Sequence, residues 1–196
     1  FSPRNRVLGN YIGVDRTGAA ALGNAGIGVS IAEASDNEIG DLTSVPGTPP
    51  GNVISGNVLE GVHLFVFSGS ATSRTFVKGN LIGTNASGTA ALGNGAAGVL
   101  LQGSADCVIG GSTPGGRNVI SGNRVGVEIG ILSLVPTQRN VVSDNFIGTD
   151  VSGSLPIPNQ TCGVLLSGPN TIQNRIGEPF VANRIAFNTG SGICSA

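Results

Sequence analysis

The chain has 196 residues, 33 of them Gly, and charged residues make up only 11%. Its formal net charge is −1 and it carries no basic run, which argues against a nucleic-acid partner, because a phosphate backbone calls for a basic face. No apolar run approaches the ~18–20 residues of a membrane span, and no secretory signal is visible. Three cysteines, Cys107, Cys162 and Cys194, have no regular spacing. Their odd count predicts small buried or half-buried residues rather than a disulfide framework or a zinc site.

Taken in order, the chain offers a short Val/Ile segment, Asn5-Arg6-Val7, then Asn10-Tyr11-Ile12, then Gly28-Val29-Ser30-Ile31. The same three segments recur in the same order. The first returns at Asn37, Thr75, Cys107, Asn140 and Asn174. The second returns at Asn52, Asn80, Asn118, Asn145 and Asn183, and the third at Gly61, Gly98, Gly126, Gly163 and, degraded, Gly192. Each segment is short, β-branched and alternating, which predicts strands. High Gly content and the lack of a 3.6-residue period exclude a helical repeat. The expected fold is all-β: a single-stranded parallel β-helix of about six coils, three short strands per coil, each coil pairing with those above and below. Strand twist and the crossover rule predict a right-handed winding.

The register assigns roles. Ile12, Ile54, Ile82, Ile120, Ile147 and Ile185 should form an inward ladder, the spine of the core. Asn10, Asn52, Asn80, Asn118, Asn145 and Asn183 should stack at a corner, where Asn tolerates left-handed backbone and its amide can bond the next coil. The Asp or Asn five residues after each leading Asn should stack at the next corner. Insertions alternate: 15–24, 85–94 and 150–159 follow the Asn-x-Ile strand in odd coils, whereas 41–51, 111–117 and 178–182 precede it in even coils. The sequence period is therefore two coils, about 66 residues, dividing a single domain (1–196) at about 1–74, 75–139 and 140–196. The outward row Tyr11, Val53, Leu81, Val119, Phe146 and Arg184 is apolar for a solvent face. The loops are expected to fold back over it with Leu22, Leu92 and Leu155 as anchors.

The fuller pattern, Ile-Gly-Thr-Asn/Asp-x-Ser-Gly-x-x-Ala-Leu-Gly-Asn with Gly-Val-x-Leu and Asn-Val-Ile-Ser-Gly-Asn, resembles the parallel β-helix repeat of the pectin-lyase-like superfamily. It is similar to tandem arrays in large secreted or surface bacterial proteins. The resemblance covers nearly the whole chain but rests on core, corner and loop positions, so it implies fold more than activity. It implies an extracellular or cell-surface location. Enzymes of that superfamily act on polysaccharides as lyases, hydrolases, esterases or epimerases, often with Ca²⁺.

Candidates for such chemistry are few. A lyase needs a carboxylate cluster for Ca²⁺ and a base, and a hydrolase needs converging carboxylates. The outward row of the Gly-Val strand offers His63 and Glu128, separated by Leu100. Glu38, His63 and Lys78 could meet across a corner; scattered solvated surface is the competing account. Asp15, Asn85 and Asp150 invite a Ca²⁺ reading, but each loop has at most one carboxylate, and turn chemistry explains them equally. The expected function is a non-catalytic extracellular structural or adhesion module, stacking on itself or belonging to a longer stalk. The alternatives are a polysaccharide lyase, hydrolase or epimerase, or a glycan-binding module built on an aromatic platform such as Tyr11, Phe76 or Phe146. The segment opens almost inside a repeat and is expected to be a mature or excised piece, with additional coils or end-to-end self-association as its partners.

Overall fold

A computed structural model describes residues 2–113, 115–131 and 133–196. All regular structure among them is short parallel strands. The first sheet stacks Arg6–Val7, Glu38–Ile39, Phe76–Val77, Val108–Gly110, Val141–Ser143 and Arg175–Ile176. The second stacks Tyr11–Ile12, Val53–Ile54, Leu81–Ile82, Val119–Ile120, Phe146–Ile147 and Arg184–Ile185. The third stacks Val29–Ala32, Val62–Phe65, Ala97–Leu101, Val125–Ile129, Val164–Leu166 and Ile193–Ser195. Every pairing joins one coil to the next in strict register, so the chain is a parallel β-solenoid of six coils. At the ~4.8 Å spacing of paired strands, six tiers stand roughly 30 Å tall.

A fourth sheet, absent from the sequence reading, lies at the corner after the Gly-Val strand: Thr72–Ser73, Ser104–Ala105, Thr137–Gln138 and Thr171–Ile172. Its strands are only two residues long and mostly polar, and the apolar alternation that marks the other three is missing. Coils 2 and 4 also have a longer connection into it, from Phe65 to Thr72 and from Ile129 to Thr137, whereas coil 3 turns within 102–103. Gly103 makes that tight turn at φ +60, and a Cβ there would meet Val66 Cγ1 at 2.2 Å.

The core is the inward ladder expected. Ile54, Ile82, Ile120 and Ile147 are fully buried with Val62, Val99, Val127 and Val164 from the third sheet and Ile39, Val77, Ile109 and Val142 from the first. Ile12 and Ile185, in the outermost coils, are half-buried. Each fully buried aliphatic contributes ~1.5–3 kcal/mol, the main term set against chain entropy.

Two continuous asparagine ladders brace the second sheet. In the first, each Nδ2 donates to the Oδ1 one coil on, from Asn10 through Asn52, Asn80, Asn118 and Asn145 to Asn183, at 2.8–3.1 Å. The second runs Asn24, Asn57, Asn94, Asn123, Asn159 and Asn188, at 2.8–3.4 Å. This corrects the expected second corner. In odd coils the rung is not Asp15, Asn85 or Asp150 but the Asn closing the inserted loop, because the insertion sits between the strand and its corner. Odd-coil strands end instead in Gly13, Gly83 and Gly148 at φ +81 to +90, each so close to the next coil that a Cβ would lie 2.2 Å from its carbonyl oxygen. A third ladder at the corner before the first sheet links Asn5 to Asn37 and Asn140 to Asn174. Thr75 and Cys107 interrupt it. Cys107 still donates its N–H to Asn140 Oδ1 at 3.0 Å, and burial pushes its thiol up to about 12.

The loops do cover the apolar outward row: Val53, Leu81 and Val119 are fully buried and pack with Val14, Ala86, Leu92, Val151 and Phe146. Two of the expected anchors are wrong. Leu22 is 69% exposed and Leu155 62%, and only Leu92 packs inward. The cover comes from smaller residues early in each loop, because the odd-coil loops stack on one another. Ala86 N–H donates to Gly18 O and Val151 N–H to Gly88 O, both at 2.9 Å, forming an outer layer that spans two coils per step.

The cysteine expectation is also corrected. Cys162 and Cys194 form a disulfide across coils 5 and 6, with a sequence separation of 32, and only Cys107 is free. Parity could not reveal it, since the pair is local to neighbouring coils. A loop of this length corresponds to about 4 kcal/mol of lost unfolded-state entropy. Among the described residues no helix is long and apolar enough to cross a membrane.

The ladders should be steeply position-dependent. Asn118 donates to Val77 O at 2.8 Å and to Asn145 Oδ1, and accepts from Asn80 N–H and Nδ2, all with no solvent exposure. Asn118→Ala strands several buried groups and should cost about 3 kcal/mol or more, whereas Asn10→Ala at the exposed tier should cost about 1 kcal/mol or less. Chemical denaturation of the two variants checks the contrast; equal losses would show that the rungs are not the source.

Candidate functional site

The outer face of the first sheet, flanked by the even-coil loops, gathers most of the chemistry-bearing side chains. Its outward row in register is Arg6, Glu38, Phe76, Val108, Val141 and Arg175. At one end Arg6 Nε donates to Glu38 Oε2 at 2.7 Å, and its guanidinium also reaches Asp41. Lys78 Nζ lies 3.4 Å from Asp41 Oδ1 and 4.0 Å from Glu38 Oε1, and 5.1 Å from the Phe76 ring centroid. The Leu42 N–H, then Lys78 and Arg6, hold the Asp41 carboxyl below its ordinary value. At the other end Arg117 pairs with Asp144 and lies over the Phe146 ring at 4.2 Å, and Arg175 pairs with Glu178.

Between these ends the even loops enclose a hollow of about 450 Å³ lined by Thr43, Ser44, Ser112, Arg117, Asp144 and Phe180, among others. Thr43 N–H donates to Gly115 O at 3.0 Å, joining two of these loops. Phe180 stands in the turn closed between Glu178 and Val181, at φ +68 and with its side chain fully exposed. A bulky residue in the left-handed region costs roughly 1–2 kcal/mol and here gains no burial.

The structure brings Glu38 and Lys78 together but sets His63 apart from them. His63 projects from the third sheet, its Nε2 is 3.1 Å from Gln102 Oε1, and its ring stacks on Phe65 at 4.5 Å. Burial lowers its pKa, opposed by nearby Glu60 and the Gln102 bond. Glu128 lies two coils on, with the buried Leu100 between them in the register. Burial raises its carboxyl, with Arg124 opposing and Glu60 adding to the rise.

Asp15, Asn85 and Asp150 each close their own loop. Asp15 Oδ1 accepts from Ala19 and Ala20 N–H at 2.9 and 3.2 Å and is held low chiefly by the Thr17 hydroxyl. Asn85 Oδ1 takes the same two bonds, from Thr89 and Ala90, and Asp150 takes them from Ser154 and Leu155. A neutral amide does the same work as a carboxylate here, so the position is filled for its acceptor oxygen. Among the described residues no group of three or more His, Cys, Asp or Glu is placed to hold a metal ion.

Two further charge devices escaped the sequence reading. The residue before each corner Asn or its substitute adopts left-handed backbone: Arg4, Asp36, Arg74, Asp106, Arg139 and Gln173, with φ from +49 to +62. Their charges alternate from coil 1 to coil 5, and Gln173 in coil 6 is neutral. Arg74 forks onto Asp36 at 2.7 and 2.9 Å, and Arg139 onto Asp106 at 2.8 and 2.9 Å. The Arg74 and Arg139 bonds hold Asp36 and Asp106 below their ordinary values. Alignment on the corner Asn would have exposed the alternation. Separately, the buried Glu33 accepts the backbone N–H groups of Phe67, Ser68 and Gly69, tying coil 1 to the coil-2 turn. Comparison of the chain with protein-family models, curated proteins and solved structures gives no match.

The raised Glu128 carboxyl has a definite sign. An acid whose folded-state pKa lies above its unfolded value destabilises the fold at every pH above that pair of values, and the penalty vanishes below both. Glu128→Gln should therefore raise the melting midpoint at pH 7, with the gap closing as pH falls below about 4. Thermal melts of both proteins across that range check it, and a gap independent of pH would assign the effect to packing.

Proposed function

We propose that this chain is a non-catalytic structural module of an extracellular or surface protein, an adhesion or stalk segment. The observation that carries this reading is the use made of its acids. All but Glu60 and Glu128 are committed to holding the solenoid together: Glu38 and Asp41 to Arg6 and Lys78, Asp36 and Asp106 to the corner arginines, Asp144 and Glu178 to Arg117 and Arg175. Asp15 and Asp150 close loops, and Glu33 pins a turn. Charges spent on joining coils and closing turns are what a rod requires, whereas a lyase or hydrolase needs carboxylates directed at a substrate. The Cys162–Cys194 disulfide supports an oxidising location, since such bonds persist outside the reducing cytosol. The resemblance to the pectin-lyase-like repeat points the same way for location and leaves a polysaccharide-active enzyme as the rival. Incubation with a panel of acidic and neutral polysaccharides should release no reducing ends and no unsaturated uronate. Cleavage that disappears in Glu38→Gln or Lys78→Ala protein would replace the structural reading with the enzymatic one.

A specific observation favours glycan binding as a second reading. Phe180 is fully exposed and held in left-handed backbone beside a hollow whose lining includes Thr43, Ser44 and Ser112. An aromatic face beside a polar lining matches a sugar ring, apolar on its C–H face and polar at its edge. Phe180→Ala should weaken retention on immobilised glycans about tenfold without lowering stability. Retention unchanged in that variant, or none in the parent, removes the reading.

A further inference from the structure

An Asn followed two residues later by Ser or Thr, with no Pro between, is the acceptor pattern for an N-linked glycan. The chain carries it twice, at Asn85-Ala86-Ser87 and Asn159-Gln160-Thr161. The fold treats the two in opposite ways. Asn159 is a rung of the second ladder with no exposed surface. Its Nδ2 donates to Ile120 O at 3.1 Å and to Asn188 Oδ1 at 2.9 Å, so both amide hydrogens are in use inside the rod. A sugar on that nitrogen would break the rung and have no path to solvent. Thr161 is engaged as well, its hydroxyl donating to Arg124 O at 2.9 Å.

Asn85 opens the inserted loop of coil 3 and lies outside the ladders. Its Oδ1 accepts the Thr89 and Ala90 N–H groups at 3.0 and 3.2 Å. Two N–H donors must face an oxygen, so the amide nitrogen points the other way. There Nδ2 has no partner among the described residues and reaches the surface. In the flanking loops the matching atom is an oxygen: Thr17 donates to Asp15 Oδ2 and Ser152 to Asp150 Oδ2, both at 2.8 Å. An amide nitrogen accepts no such bond. Ser87 Oγ instead lies 2.7 Å from Thr89 Oγ1, and both residues are exposed. The stacking of this loop on its neighbours runs through the Ala86 N–H and the Gly88 carbonyl, so the Asn85 amide nitrogen has no part in it.

We propose that Asn85 Nδ2 carries an N-linked glycan, transferred from a lipid-diphosphate oligosaccharide. The Nδ2–C1 bond forms as the bond from C1 to the diphosphate oxygen breaks. The lipid diphosphate leaves, and the nitrogen gives up one of its two protons. Oδ1 and its two loop bonds are untouched, so the loop closes as before. All three odd-coil loops place a hydroxyl two residues after the Asp or Asn, at Thr17, Ser87 and Ser152, but only the middle loop offers an amide. The array is therefore marked once, at its centre. From there the glycan stands two coils, about 10 Å, from the loops that carry the exposed Leu22 and Leu155, and it keeps that apolar surface hydrated.

The inference rests on the extracellular part of the proposed function, because this transfer modifies secreted chains. Peptide-level mass spectrometry of the protein purified from its natural source, kept non-reduced, tests it. An oligosaccharide should be found on Asn85 and none on Asn159. In the same cells Asn85→Asp and Ser87→Ala should each lose the glycan, whereas Ser87→Thr should keep it. After enzymatic deglycosylation all three should melt at the midpoint of the parent chain, which separates loss of the acceptor from loss of the fold. An unmodified Asn85 in the natural protein overturns the proposal, as does a glycan on Asn159 of natively folded chains, or one on Asn85 that persists in Ser87→Ala. An unmodified Asn85 beside an intact Cys162–Cys194 bond leaves the extracellular structural reading standing. Free thiols at both of those cysteines would remove the extracellular location, and the proposal with it.

Discussion

The buried asparagine amide is the interaction on which the rest of this molecule depends. A solenoid must turn its chain at every corner, and a turning backbone leaves N–H and carbonyl groups that no sheet can pair. In the interior those groups are cut off from water, where each unpaired one costs ~1–3 kcal/mol. Asn meets the demand because its side chain carries a donor group and an acceptor in the geometry of a peptide. Asn80, Asn118 and Asn145 each reach a carbonyl of the coil before and an oxygen of the coil after, with no exposed surface. Ser or Asp would supply the acceptor without both donors. The aliphatic ladder supplies more free energy, but it is indifferent to register. The amide rungs fix which residue meets which.

Periodicity explains what could be read from the chain. Ile54, Ile82 and Ile120 recur at one place in each repeat, two residues after the leading Asn, so their burial as a ladder follows from the repeat register. The leading Asn ladder was legible for the same reason. The second ladder was not, because in odd coils ten residues intervene between Gly13-type strand ends and Asn24-type rungs, and Asp15 stands where the even-coil pattern has its rung. Only the path of the loop decides between them. The anchors failed on a similar point. Leu22 and Leu155 are the large apolar residues of their loops, but Gly18, Ala86, Gly88 and Val151 are small enough for loop to lie on loop, and close backbone approach rather than side-chain size sets the cover.

The candidate site was legible only in part, for a different reason. Glu38 and Lys78 sit one coil apart on rows that the register could place, so their meeting follows from the winding. His63 belongs to another sheet, and the angle at a corner is not written in strand periodicity. The Cys162–Cys194 bond is hidden likewise: the two residues lie at neighbouring heights on one face, but only the degraded sixth Gly-Val strand aligns Cys194 with Leu165.

The two-coil period ties the inner and outer structure together. Every element of the core repeats once per coil, yet the loops and the corner charges repeat once per two. A charge column must alternate to be attractive at the ~4.8 Å spacing of tiers, since two like guanidinium groups so close would repel. Loops that fold back over the second sheet are thicker than one tier and can stack only on alternate coils. Both constraints arise outside the core and both select a period of two, so the repeat unit is set by what the surface can accommodate and not by what the interior needs. The interior, by contrast, has a direction but no preferred length: each rung donates forward whichever coil comes next, and the surface decides which coil that can be.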